Sequence, residues 1–379
     1  MYGLSRQQEH PGSGRPGSGP ASADIAAAGA ECANARSMRS NVTVNLTRRA
    51  AALALIAVGA APAAPNYKLT RTVALGAPDR WDYVVADPDT RRVYVAHGDR
   101  VSVLDAASGA VIGEVDGMPG GTHGIAISRA TGRGFTDDGE RGEAVAFDLR
   151  TLKPVARIPA ADDADGIARD PMTGRVLVVE GDQRSVTLID PATDRAVSTI
   201  VVGEKLEYPA ADGSGRVFVA GEEKGDLVVV DARAARVVAH WPAPGCASPH
   251  GLAVDRTSHR AFIGCVNAKM VVLDTGSGRV VATLPIGLGN DAVAFDPVRR
   301  RVFSSNGRDG TVSVYRQVTP DRYEALPTIP TLVSARTMAV DPRTGRLFVV
   351  GADTDANPAG GRPRVRSGTL RVLIFDPAA

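Results

Sequence analysis

Asp82, His123, Asp165, Glu207, His250, Asp291 and Arg336 each stand five residues before an Asp or Ser that opens a turn. All seven can carry charge, although Asp, Glu, Lys and Arg make up only 23% of the chain, so the coincidence asks for a reason. Gathered in one place, the carboxylates repel one another and raise some of their own pKa values, and a cation, an amine or ordered water relieves them. Two histidines beside carboxylates are also donors for zinc or another divalent metal, although no local spacing such as HExxH marks a metal motif. The plainer alternative is a hydrated mouth whose polar groups tie neighbouring elements together through bonds to the backbone.

A second periodic set, His97, Asp138, Glu180, Cys265 and Asn306, ends apolar stretches on what should be the same face. These residues are either ordinary polar loop starts or the outer wall of the same pocket, in which His97 and His123 could act as acid and base. Cys246 and Cys265 fall on one face of the pattern, which leaves a disulfide, two free thiols and shared ligation of a metal all open. No nucleophile elbow, phosphate loop or paired metal motif singles out a reaction.

The elements that must position these residues follow from a repeat of about 42 residues. Each unit reads as an apolar strand, a turn resembling DPxTxR, a second strand, a polar loop, a third strand ending in Asp, a turn and a fourth strand. The turns open at Asp87, Ser128, Asp170, Asp212, Asp255, Asp296 and Asp341. Their leading Asp can accept from the turn backbone, and Pro at the next position presets φ. Third strands end at Asp105, Asp148, Asp190, Asp231, Asp274 and Asp376, with Tyr315 the one departure. Seven units of four short strands predict an all-β fold, a seven-bladed β-propeller of four antiparallel strands per blade. The last unit stops after its third strand, so the stretch Tyr67 to Leu75 is expected to supply the missing outer strand and close the ring. The ring residues then sit at the mouth of the central channel. A Pro- and Gly-rich insertion from Asp353 to Ser367, with Arg362, Arg364 and Arg366, is expected over the same face as a solvated loop or a lid.

Composition agrees with many short strands and turns: 41 Gly and 25 Pro, 4% aromatic, and 44% apolar residues. The formal net charge is +2 and no dense Lys/Arg run occurs, which makes nucleic acid an unlikely partner. Residues 1–37 are rich in Gly, Ser, Pro and Ala, and read as disordered or untranslated. From Met38 the chain has the layout of a signal peptide, residues 38–63: Arg39, Arg48 and Arg49, the apolar run Ala50 to Ala61, and an A-x-A at Ala61-Pro62-Ala63. The run is too short to span a bilayer, so the mature protein, the propeller of residues 64–379, is expected to have no transmembrane segment. A Sec-type leader fits better than a twin-arginine one, because Ala follows Thr47-Arg48-Arg49. The expected compartment is the periplasm or the exterior, where disulfides persist.

Lys205-Leu206-Glu207-Tyr208-Pro209, His240-Trp241-Pro242, Phe262-Ile263-Gly264-Cys265, Ser304-Ser305-Asn306-Gly307 and Ala335-Arg336-Thr337-Met338-Ala339 resemble the YncE-like family of YVTN-repeat propellers. The likeness covers residues 67–379. It implies a seven-bladed fold of the quinoprotein amine dehydrogenase β-chain type in an exported, usually bacterial protein, and no dehydrogenase activity. Neither a CxxCH haem motif nor a His-rich copper set is present. Asp82, His123, Asp165, Glu207, Asp291 and Arg336 match residue types seen in similar proteins, whereas His250 departs from the small hydroxyl residue expected there.

Two functions follow. The first is a binding or scaffold propeller, a monomer, whose channel mouth takes a small polar or cationic ligand and whose loops contact a periplasmic protein. The second is a metal-dependent lyase or hydrolase, resembling the streptogramin lyase type, that uses the same residues with a divalent metal ion.

Overall fold

The computed structural model describes residues 67–357 and 363–378. Residues 1–37, the expected signal peptide of residues 38–63, and Arg362 of the insertion lie outside the described residues. Seven antiparallel four-stranded sheets form a ring. Their innermost strands are Val84–Asp87, Ile125–Ser128, Ala164–Arg169, Leu206–Ala211, Pro249–Asp255, Asn290–Asp296 and Thr337–Asp341, each beside the next, with the seventh beside the first. The seven-bladed propeller expected from the repeat is the observed fold.

In the seventh blade the order is Thr337–Asp341, Arg346–Gly351, Arg371–Pro377 and Tyr67–Ala74. The strand Tyr67–Ala74 pairs from Tyr67 opposite Pro377 to Ala74 opposite Arg371, which completes the last blade and closes the ring.

The core repeats with the sequence. Matching positions in the second strands hold Tyr94, Phe135, Leu177, Phe218, Phe262, Phe303 and Phe348, and every one is fully buried. These side chains fill the wedge between adjacent sheets, where both faces of a strand are covered. Two residues earlier stands an Arg that reaches the neighbouring blade. Arg175 donates to Ala232 O at 2.6 Å and Arg216 to Thr275 O at 2.7 Å. Arg260 pairs with Asp321 at 2.6 Å, and Arg301 lies over the Tyr67 ring of the closing strand at 5.5 Å. The final Arg of the DPxTxR-like turn is thus a blade-to-blade clamp.

The turn aspartates act as their sequence context predicts. Asp170 accepts from the N–H of Thr173 at 2.8 Å and from its hydroxyl at 2.7 Å, and Asp105 accepts from the N–H of Ser108 at 2.7 Å. At the departure, Tyr315, the strand does not stop. The sixth blade has nine-residue strands, Thr311–Thr319 and Arg322–Pro330, and the buried Tyr315 hydroxyl donates to Pro285 O. The insertion carries a small ribbon, Thr354–Asp355 with Arg364–Val365, held by Arg366 on Asp355 at 2.5 Å. No helix among the described residues is long and apolar enough to cross a membrane.

Candidate functional site at the channel mouth

The seven ring residues lie at or just before the start of the innermost strands and form one electrostatic cluster. Arg336 is its main cation: Nη1 donates to Asp291 Oδ2 at 2.7 Å, and Nη2 donates to Trp81 O at 2.7 Å and to Asp82 Oδ2 at 3.3 Å. Burial works against the guanidinium charge, but Asp291 and Asp82 outweigh it and hold the pKa above the ordinary value. Arg336 also packs over the Trp81 ring at 5.7 Å.

His123 is gripped by Asp137, a fully buried carboxylate. Asp137 Oδ2 lies 2.7 Å from His123 Nδ1, while Oδ1 accepts from the N–H groups of His123 and Gly124 at 2.9 and 2.8 Å. Burial lowers the imidazole pKa, but Asp137, Asp165 and Asp82 together raise it to about 10. His123 Nε2 faces the half-exposed Arg80 at 3.3 Å, and the same guanidinium lies 3.6 Å from Glu140. Gly139 makes room for the ring, since a Cβ there would lie 2.8 Å from His123 Cε1 and 2.9 Å from Ala164 O.

Across the channel, the Tyr83 hydroxyl of the first blade donates to Glu207 Oε2 of the fourth at 3.0 Å. Its ring meets Tyr208 with centroids 4.3 Å apart. Glu207 Oε1 also faces His250 Nε2 at 3.4 Å, and His250 Nδ1 lies 2.9 Å from Ser248 O. Burial, then the charges of Asp165, Asp291 and Asp82, push Glu207 well above the usual carboxylate range. Asp165 is pushed up to about 8 by burial and by Asp82, Asp137 and Asp163, against the opposing pull of His123. Its Oδ1 is buried without a hydrogen-bond partner.

The ring therefore holds five carboxylates, counting Asp137, against Arg336 and the two histidines. Beside it opens a pocket of about 710 Å³, with Trp81, His250, Asp291, Arg336 and Arg308 as its polar or aromatic wall. Val333 and Val365 are among its apolar residues, the latter from the insertion ribbon. A second cavity, about 560 Å³, is lined by inner-strand side chains such as Ile125, Ile167 and Val254, with Tyr208 also in its wall. Its wall also carries Arg169, Asp255 and Arg256, so it too is mixed in character.

The second periodic set is placed differently from the ring. His97 is buried, with Nδ1 2.9 Å from Ser102 Oγ and Nε2 2.8 Å from Pro78 O, and burial lowers its pKa. Asp138 accepts from Gly120 N at 2.6 Å and pairs with Arg157 at 3.2 Å. Glu180 accepts from Ser185 at 2.6 Å, and Asn306 donates to Ser313 and Thr311 at 3.0 and 3.1 Å. Each of these side chains fastens loops rather than facing the 710 Å³ pocket, and none lines it. Cys246 and Cys265 form a disulfide, S–S 2.01 Å, which resolves the three alternatives in its favour. Among the described residues no three ring side chains bring metal-ligating atoms together; the one such group is Glu204, Asp226 and His240 on the fourth blade.

Asp137, Tyr83 and Tyr208 are not among the site residues expected from the sequence, yet each breaks its column of the repeat. Asp137 stands where other blades have Ala96, Val179, Ala220, Gly264, Ser305 and Val350. Tyr83 and Tyr208 stand where Gly124, Gly166, Gly251, Ala292 and Thr337 are small.

No family model matches the sequence, and no curated protein is similar to it. Solved structures share the fold. A chain of the Kuenenia stuttgartiensis hydrazine synthase superposes with a TM-score of 0.63 at 14% identity, covering 72% of this chain and 93% of that one. U3-55K gives 0.69 at 14% identity over 82% and 98%, and the WD40 repeats of RRP9 give 0.69 at 14% identity over 83% and 98%. At such identity the likeness establishes the β-propeller architecture and nothing about activity.

Proposed function

We propose that the chain is an exported YVTN-type binding propeller that takes a small organic cation at the channel mouth. The observation that carries this reading is the surplus of buried carboxylate around the ring, with Asp165 held near neutrality and one of its oxygens unpartnered. A bound ammonium group would supply the missing positive charge and draw Asp165 back to its ionised form. The apolar flank from Val333 and Val365 suits the carbon body of such a ligand. Export is supported by the leader-like layout of residues 38–63 and by the disulfide, which an oxidising compartment preserves. The metal-dependent lyase or hydrolase has less support, because the ring offers no converging ligand set among the described residues. His123, with a pKa of about 10, is also a poor general base at neutral pH.

The test is calorimetric titration with benzyltrimethylammonium, whose charge does not change with pH, alongside benzyl alcohol and benzoate. The cation should bind, more tightly at pH 9 than at pH 6, with proton uptake by buffer at pH 7, and Asp291→Asn and Asp165→Asn should weaken it. Preferential binding of benzoate, or equal binding of the neutral alcohol, would refute a cation site.

A further inference from the structure

The His240-Trp241-Pro242 segment plays no part in the channel mouth, yet His240 ends a second concentration of charge. Glu204 lies in the connection between the third blade's outer strand, Arg195–Val201, and the fourth blade's inner strand, Leu206–Ala211. Asp226 opens the fourth blade's third strand, Asp226–Asp231, and His240 sits on its outer strand, Arg236–Pro242. Val228 pairs with His240 and Asp226 with Pro242, so the period of two along a strand puts Asp226 and His240 on one face as diagonal neighbours.

We propose that Glu204, Asp226 and His240 form a binding site for one divalent transition-metal ion of the zinc class, built from none of the ring residues. His240 Nδ1 lies 3.0 Å from Glu204 Oε1 and 3.0 Å from Asp226 Oδ2, and one ligand atom from each residue falls within 4.8 Å of the others. Ligand atoms about 2.0–2.2 Å from a tetrahedral zinc stand about 3.4 Å apart, so a few tenths of an ångström of expansion admits the ion. One nitrogen and two carboxylates is a donor set for zinc or manganese rather than for a soft copper(I) site.

The independent observation is what the buried carboxylates lack. The Glu204 side chain is fully buried, and both of its carboxylate oxygens, the Oε1 that faces His240 included, are buried without any hydrogen-bond partner, as is Asp226 Oδ1. Leaving such atoms unpaired is costly, and a metal ion removes that cost. Two of these oxygens converge on Gly221: a Cβ there would sit 2.7 Å from Glu204 Oε2 and would collide with Asp226 Oδ1. Four of the other six blades carry His97, Asp138, Glu180 or Asn306 at the Gly221 position, and those side chains fill this space and bond their own loops. The fourth blade leaves the space to two acids. Lys224 Nζ, 3.5 Å from Glu204 Oε1, is 52% exposed and can withdraw into water, while His240, 37% exposed, marks the open side where a water completes the coordination.

The test uses the full chain stripped with a chelator, titrated with Zn²⁺ and analysed by elemental mass spectrometry after desalting. Co²⁺ serves as a spectroscopic substitute for tetrahedral geometry. One equivalent should bind, Zn²⁺ should raise Tm, and Co²⁺ should give the intense visible absorption of a four-coordinate site. His240→Ala, at an exposed position that folding tolerates, should weaken Zn²⁺ by at least about 100-fold, since loss of an outer-shell partner alone costs about 10–100-fold. Gly221→Ala should abolish binding by filling the space between the carboxylates, whereas Asp165→Asn should leave it unchanged. No uptake at 100 µM Zn²⁺ (~10⁻⁴ M, the weak end of specific metal sites) would overturn the proposal. So would stoichiometric zinc that survives His240→Ala, or zinc lost on Asp165→Asn, which would put the ion at the channel mouth instead.

Discussion

Asp165→Asn should stabilise the protein, and increasingly so as pH rises. An ordinary aspartate ionises near 3.9, whereas Asp165 in the folded ring does so at about 8. Between those values the unfolded chain has released the proton and the folded chain has kept it, so the slope of unfolding free energy against pH is negative. Each pH unit in this window costs the wild type about 1.4 kcal/mol through this residue. Asn cannot ionise, so from pH 5 to pH 8 the variant should gain up to about 4 kcal/mol on the wild type. His123 adds a slope of its own in the wild type: its folded pKa of about 10 contributes stability that is complete below about 6.5 and lost as pH rises toward 10, and in the variant, without the Asp165 charge, that loss begins at lower pH. Urea unfolding followed by tryptophan fluorescence at pH 5, 6.5, 8 and 9.5 measures both effects. A difference between the two proteins that stays constant from pH 5 to 8 would refute the claim that the ring keeps Asp165 protonated.

Arg336→Met should destabilise by about 3 kcal/mol, the low end for breaking a buried ion pair because 39% of the side chain is exposed, and Asp82→Asn on the same chain should restore part of the loss in the same urea assay. Tyr83→Phe keeps the ring against Tyr208 but removes the donor to Glu207 at 3.0 Å, so a cost of about 1–3 kcal/mol is expected in urea. Reducing the Cys246–Cys265 bond, whose partners are 19 residues apart, should cost about 3 kcal/mol and lower Tm, as should Cys265→Ser without reductant.

The repeat made the blade count, the ring closure and the seven mouth positions legible, because each is written locally. A turn Asp with its hydroxyl or amide partners three residues on, as at Asp170, sets the hairpin and hence the register of that blade. Counting back five residues from it lands on the same structural position every time. The nearness of Cys246 and Cys265 was legible for the same reason, though not their chemical state. The bonds that give the mouth its character were not legible. Tyr83 meets Glu207 from three blades away, 124 residues along the chain, and Asp137 meets His123 only because neighbouring strands pair in one register.

By itself, then, the sequence determined which residues stand at the start of the innermost strands, since the repeat returns to the same position once per blade. Tertiary structure alone decided which of those residues are charged. Burial and the approach of other carboxylates set Asp165 and His123 at about 8 and about 10, and both depend on distances between blades that no single repeat contains. The same holds on the fourth blade, where Gly221 reads as one more small strand residue until Glu204, Asp226 and His240 are brought around it from three separate segments.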